Sequence, residues 1–244
     1  MSERKDLSHR VQHRFPKAYD KLVTAHGART GLVIQLVVAF VISVLLMWGF
    51  LALADAFPEK HGLSRLDFAV AAWSKTHNTE SGEMIFAIIT ALGSPVLYAM
   101  GLIVAIIFAV RRAWLRFIIW TVTVAGGSMI DWALKLLFHR VRPPGASEFI
   151  HTQSWSFPSG HALNSLVDYT LLAYLLLEHV EDSRARRAIA AGAMLLIGAI
   201  GFSRLYLGVH YVSDVVAGYL AGGVWVTMCI TAYQIAKRRR VAPT

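Results

Sequence analysis

The sequence predicts an all-α protein, a polytopic bundle of six helices that cross a membrane. Three observations carry this expectation. Residues 31–54 contain no charged side chain in 24 positions, and a helix of that length rises about 36 Å, more than the roughly 30 Å hydrocarbon core of a bilayer. Hydrophobic residues make up 56% of the 244-residue chain and charged ones 16%. A soluble domain carries about 25% charge, and a disordered chain is far less apolar. Finally, the 24 Lys and Arg are gathered into short segments between apolar spans, as in a chain threaded through a membrane.

In order along the chain, residues 1–30 form a basic N-terminal segment. Arg4, Lys5, Arg10, Arg14, Lys17, Lys21 and Arg29 stand there against Glu3, Asp6 and Asp20. The membrane domain is expected over 31–236. Ala52-Leu53-Ala54 resembles a signal-peptide cleavage site, but the apolar stretch before it exceeds a signal core of about 7–15 residues, so the span reads as a retained helix. Residues 55–82 form an outer loop. Leu63, Leu66, Val70 and Trp73 recur there at helical spacing beside Arg65, Asp67 and Lys75. They predict a short amphipathic helix on the membrane surface, with a plain structured loop as the alternative. The remaining spans are expected at Met84–Val110, Trp114–Phe138, His161–Leu177, Ala188–Phe202 and Val209–Ala236, followed by a basic tail at 237–244. The single cysteine, Cys229, lies in an apolar run and reads as a small buried hydrophobe. Asp131 and Lys135 in the third span and Asp168 in the fourth put charge at membrane depth, where it is costly and points to function.

The net charge of +9 would suit a nucleic-acid binder, but the basic residues share no single face. With the N-terminus in the cytoplasm, 17 Lys and Arg fall on that side, including Arg111, Arg112, Arg116, Arg184, Arg186, Arg187 and Lys237 to Arg240. Seven fall on the other side or at the adjoining helix ends: Lys60, Arg65, Lys75, Lys135, Arg140, Arg142 and Arg204. The positive-inside rule therefore orients both termini inward, and most of the charge is topology and anionic-lipid contact.

Three polar segments remain after that sorting, and all fall at the outer face: Lys135 to Pro143, Pro158-Ser159-Gly160-His161, and Ser203-Arg204 through His210 to Asp214. Lys135, Arg142 and Arg204 would repel one another unless an anion with several oxygens sat among them, and guanidinium forks suit phosphate. The fourth span opens at Ser159-Gly160-His161. Free N–H groups at such a helix start favour phosphate, and Gly160 lets the backbone come close. His210 and Asp214 are spaced i, i+4 and share a face if the sixth helix starts there. A carboxylate on one imidazole nitrogen leaves the other free to attack or to accept a proton, and His161 is a second imidazole. The same His and Asp residues would also serve a structural pair or half a metal site, although three nearby cations would oppose a metal ion.

In this order the segments read K-x6-R-P, P-S-G-H and S-R-x5-H-x3-D, complete over residues 135–214. The chain resembles the type-2 phosphatidic acid phosphatase family, the membrane branch of the acid phosphatase and vanadium haloperoxidase superfamily. The resemblance implies an acid phosphatase/haloperoxidase-like helical core and a lipid phosphatase acting at the outer leaflet. It implies His210 as the nucleophile that becomes phospho-histidine, Asp214 as the residue that orients it, and His161 as the acid–base. Lys135, Arg142, Ser159, Gly160 and Arg204 would hold the phosphoryl oxygens, and no metal or other cofactor is expected. Undecaprenyl pyrophosphate is the leading substrate. Phosphatidylglycerol phosphate, phosphatidic acid and a lipid A phosphate are the alternatives.

A lipid phosphotransferase would use the same intermediate. A non-catalytic lipid binder would not need the complete His210–Asp214 spacing, and six spans disfavour a haloperoxidase. His139 and Arg140 read as surface or headgroup contacts, His151 and Gln153 as loop. Asp131 stands one turn before Lys135 and can pair with it. Tyr206 and Tyr211 are expected to pack at the membrane interface.

Overall fold

The computed structural model describes residues 16–56, 61–144 and 154–241. The basic stretch 1–15, Lys60, His151 and Gln153 lie outside them. The described residues form eight helices: α1 Pro16–Ala56, α2 His61–His77, α3 Glu80–Ala91, α4 Pro95–Val110, α5 Trp114–Phe138, α6 Gly160–Leu177, α7 Ser183–Tyr206 and α8 Val212–Val241. The chain divides into two compact units, residues 1–42 and 43–244. In the first, α1 turns Val33, Ile34, Val37, Val38 and Phe40 outward. Such an uncharged apolar surface belongs in lipid.

The second unit is built around α6, in which eleven of 18 residues are buried. Leu163, Val167, Leu171 and Leu175 recur every fourth residue and make one stripe. That stripe meets Ile119 and Trp120 of α5 and Val226, Cys229 and Tyr233 of α8 in the main apolar cluster. Cys229 is buried there, as expected. Helices in lipid gain little from the hydrophobic effect, so small residues at their contacts matter more. Gly218 and Gly222, one turn apart on α8, face α6. A Cβ on Gly218 would stand 2.6 Å from the Ser159 carbonyl oxygen, and one on Gly222 2.9 Å from that of Leu163. At the far end of the same helices, the Glu178 carboxylate accepts from Arg116 at 3.3 Å, the Tyr233 hydroxyl at 2.9 Å and Lys237 at 2.8 Å.

The chain is an all-helical, multi-pass membrane protein, but its spans differ in detail from those expected. Among the described residues, five stretches are long and apolar enough to cross a membrane: Thr30–Asp55, Glu80–Val110, Trp114–Phe138, Ser183–Tyr206 and Val212–Arg240. The expected fourth span is a helix, α6, but it is not among the five. Its interior position lets it carry buried Asn164, Ser165 and Asp168, which lowers its hydropathy. The expected second span is broken at Leu92-Gly93-Ser94, with Pro95 opening α4. Proline cannot continue a hydrogen-bonded helix but suits its first turn. The expected fifth span lengthens to Ser183–Tyr206, capped by Asp182, whose side chain accepts from the Ala185 N–H at 2.8 Å. Arg184, Arg186 and Arg187 had masked its first turn.

The segment expected to hold an amphipathic helix contains α2, whose polar face meets the protein. Asp67 and Ser74, seven residues apart, face the protein and are buried, while Leu66 and Phe68 are exposed. The Ser74 hydroxyl donates to the Tyr206 carbonyl at 3.0 Å, tying α2 to α7. Tyr206 itself packs against Phe86 and Trp73, an aromatic group suited to a membrane interface.

The close approach of α8 to α6 is testable. Gly218→Ala is expected to lower the thermal unfolding midpoint in detergent, through an overpacking penalty of about 1–3 kcal/mol. Gly192→Ala, inside α7 where a Cβ meets nothing within 4 Å, should hold the midpoint or raise it, because alanine favours a helix over glycine by about 0.5–1 kcal/mol.

Candidate active site

The three polar segments and the loop before Pro158 close on one another at one end of the bundle. The Ser156 N–H donates to the Arg140 carbonyl at 2.7 Å, and the Ser159 N–H to the Asp214 carbonyl at 2.9 Å. These bonds hold the loop against the end of α5 and the start of α8. Gly208, with φ 65°, turns the chain out of α7 in a conformation that favours glycine. The chain then passes His210 before α8 begins at Val212. His210 is thus in the turn before α8 and shares no helix face with Asp214. The two still meet because Asp214 lies in the first turn of α8 and reaches back.

Asp214 is fully buried. Its Oδ2 accepts from the Ser156 hydroxyl at 2.5 Å, the Tyr211 N–H at 2.9 Å and His210 Nδ1 at 3.3 Å. On the other side of the ring, Arg142 Nη1 lies 3.0 Å from His210 Nε2. A guanidinium can only donate, so Nε2 carries the lone pair and Nδ1 the hydrogen. Burial pushes the His210 pKa from 6.5 down to about 3. The hydrogen bond that His210 donates to Asp214 opposes this, and the Arg142 and Arg204 cations reinforce it. The ring is a neutral imidazole with its lone pair turned toward arginine.

The basic residues are held in different ways. Arg142 is positioned by carbonyls: Ser154 at 2.9 Å from Nε and Val209 at 2.7 Å from Nη1. Lys135 is paired with Asp131, one turn earlier on α5. Arg204 is 1% exposed. Its Nη1 donates to the Thr90 hydroxyl at 2.6 Å, while its buried Nε has no protein partner. The Ser159 hydroxyl at the start of α6 is likewise buried and unpartnered. Gly160 fits because a Cβ there would stand 2.5 Å from an Asp131 carboxylate oxygen. His161, next along α6, lies within electrostatic reach of Arg204, His210, Lys135 and Arg142. All eight candidate residues from the sequence therefore gather at one site. Among the described residues, no three His, Cys, Asp or Glu side chains group as metal ligands.

Four further residues belong to this site and carried no motif. Ser156 and Arg140 both hold Asp214, Thr90 holds Arg204, and Asp67 of α2 pairs with Arg140 at 2.9 Å. Arg140 is therefore not a surface residue: its side chain is 12% exposed and spans two carboxylates. His139 is exposed, as expected, and its ring packs edge-on against Trp155. Tyr211 is buried under the Arg140 guanidinium, which lies 4.3 Å from the ring centre. The Arg-Val-Arg spacing 140–142 was the one available signal for Arg140. Asp67 had none.

A pH dependence of stability follows from His210. The unfolded chain protonates this histidine at the ordinary 6.5, whereas the folded one resists protonation to about 3. Its contribution is present above pH 6.5 and is lost as pH falls toward 3. Thermal unfolding of His210→Gln against pH should show a shallower decline across that window than the parent.

The arrangement matches known proteins. The PAP2 superfamily model matches residues 114–238. Phosphatidylglycerophosphatase B of Bacillus subtilis is 38% identical over 95 residues, 38% of this chain and 46% of that protein. Lipid phosphate phosphatase delta of Arabidopsis thaliana is 33% identical over 88 residues, 32% of this chain and 20% of that one. The matched stretch is thus less than half the length of either curated relative. The crystal structure of a transmembrane PAP2-type phosphatidylglycerolphosphate phosphatase from Bacillus subtilis superposes with a TM-score of 0.71 at 27% identity, covering 82% of this chain and 97% of that one. Aquifex aeolicus LpxE shares the fold, with a TM-score of 0.52 at 22% identity over 68% of this chain and 94% of that one. With its family model spanning half the sequence and all three motif segments gathered at one site, the chain belongs to the PAP2 superfamily.

Proposed function

We propose that the chain is an integral membrane lipid phosphatase that works through a phospho-histidine on His210. One observation carries this reading: Ser159 Oγ and Arg204 Nε are buried without a protein partner, in the same site as a neutral His210 whose Nε2 lone pair faces Arg142. Buried polar atoms are nearly always bonded, and a phosphoryl group offers the missing acceptors. His210 Nε2 attacks phosphorus, and the bond from phosphorus to the lipid oxygen breaks as His161 gives that oxygen a proton. Water then attacks the phospho-histidine while His161 takes its proton, the P–N bond breaks, and inorganic phosphate leaves. Asp214 holds the Nδ1 hydrogen throughout. Lys135, Arg142 and Arg204 neutralise the phosphoryl oxygens, the main task in such a transfer, so the site works without a metal.

Phosphatidylglycerol phosphate is the substrate best supported, because a Bacillus subtilis sequence and a Bacillus subtilis crystal structure similar to this chain are both named for it. Undecaprenyl pyrophosphate is the second reading. It is favoured by the division of 17 cytoplasmic from seven outer Lys and Arg, which turns the site to the outer side of the cell membrane, where a carrier lipid is released after use. Both termini are then cytoplasmic.

Phosphate release by the purified protein from a panel of phosphatidylglycerol phosphate, phosphatidic acid, undecaprenyl pyrophosphate and lipid A phosphate tests this. One of the first three is expected to be hydrolysed, with full activity in EDTA, and His210→Ala should lose at least ~1,000-fold in kcat. Substantial turnover by His210→Ala would remove the assigned nucleophile, and activity restored only by added metal would contradict the mechanism. A reporter fused after Thr244 should read as cytoplasmic, and an external signal would reverse the topology.

A further inference from the structure

A buried carboxylate orients a histidine only if the carboxylate is itself held. The torsion that turns an aspartate carboxyl is soft, and rotation would exchange the two oxygens of Asp214. Oδ2 is engaged by Ser156, Tyr211 and His210, and Oδ1 accepts from Arg140 Nη1 at 2.5 Å. Arg140 in turn donates through Nη2 to Asp67 Oδ2 at 2.9 Å and through Nη1 to the Ser213 hydroxyl at 2.7 Å. Asp67 is 2% exposed. Its Oδ1 accepts from the Ser213 N–H at 2.9 Å, and its Oδ2 from the Ser213 hydroxyl at 2.5 Å. A planar guanidinium thus bridges two carboxylates, one beside His210 and one on α2, and a lysine at 140 could not span both.

Charge gives the bridge a second consequence. Attack by Nε2 leaves the His210 ring positively charged with Nδ1–H facing Asp214. Arg140 alone would cancel the Asp214 charge. Asp67 restores a net negative charge to the group just as the ring becomes a cation.

We propose that Asp67 and Arg140 are positioning residues for the phosphoryl transfer, locking the His210–Asp214 pair from the surface helix α2. This role takes His210 as the reacting base of the proposed phosphatase. An anchor that merely fastened α2 would change the amount of folded protein, and would alter neither turnover per folded molecule nor the state of the His210 ring.

The test uses the full chain in detergent. Phosphate release from phosphatidylglycerol phosphate micelles is measured for Asp67→Asn, Arg140→Lys and Asp67→Glu, alongside the histidine nitrogen NMR spectrum with His210 assigned by its own substitution. Asp67→Asn and Arg140→Lys are expected to lose about 10–100-fold in kcat, the usual scale for a group supporting a reacting side chain. KM should stay within about twofold, because both residues act through Asp214 and His210 and not on the bound lipid. The His210 nitrogens, one protonated and one bare in the parent, should average between tautomers in both variants, and Asp67→Glu should recover part of the turnover. A kcat per folded molecule within about twofold of the parent, or an unaltered His210 nitrogen pattern, overturns the proposal. If Asp67→Asn does not fold, Arg140→Lys is judged by the same two criteria. If the parent releases no phosphate from these micelles or from any lipid of the panel above, the phosphatase reading loses its support. The nitrogen spectra then decide the positioning role alone: mixed tautomers sustain it and an unaltered pattern overturns it.

Discussion

The Asp214 carboxylate has no exposure to solvent and would be severely destabilising without partners. Satisfying it draws together the parts of the site that are distant in sequence. Ser156 comes from the loop before α6, Arg140 from the end of α5, and Tyr211 and His210 from the turn before α8. The carbonyl of the same residue receives the Ser159 N–H, which sets the start of α6 beside the histidine. One buried residue, through its carboxylate and its carbonyl, thus draws all three motif segments together. It also explains why residues outside the motifs, Arg140 and Ser156, are as deeply engaged as those inside.

Packing of the rest of the bundle serves that meeting. The small residues Gly218 and Gly222 let α8 lie against α6, and the nearest atoms to a Cβ on Gly218 begin with the Ser159 carbonyl oxygen at 2.6 Å. Small residues are what allow helices to approach closely in lipid, and here the approach sits immediately beside the site. At the other end, Glu178 gathers Arg116, Tyr233 and Lys237, so α5, α6 and α8 are tied at both ends. A site held this way has little freedom, which suits phosphoryl transfer, where catalysis is mostly positioning and charge.

Much of this was legible in the residues. The uncharged run 31–54 and the apolar spans were enough for a membrane bundle, and the three spaced segments for eight candidate residues that lie near one another. The pairing of Asp131 with Lys135 followed from their one-turn spacing. Other features were hidden for physical reasons. The buried helix α6 needs no lipid-facing surface, so its hydropathy falls short of a span. Arg140 looked like surface because a lone arginine at a helix end usually reaches for headgroups. The amphipathic pattern of α2 showed that the helix has two faces but not which one meets protein. Its apolar face suits lipid, and so the protein side takes Asp67 and Ser74.

The sequence by itself determined the helical class, the membrane setting, the order of the segments and the chemistry available to them, because hydropathy and motif spacing are local properties of the chain. Tertiary structure alone decided which oxygen of Asp214 faces His210, that Arg142 meets the Nε2 lone pair, that Arg204 and Ser159 keep unpartnered polar atoms, and that Asp67 of α2 reaches the site at all. They depend on contacts between distant segments: Arg142 and His210 are 68 residues apart, and Asp67 and Ser213 are 146 apart. No local pattern encodes such pairs. Only packing, which must satisfy each buried charge at once, selects them.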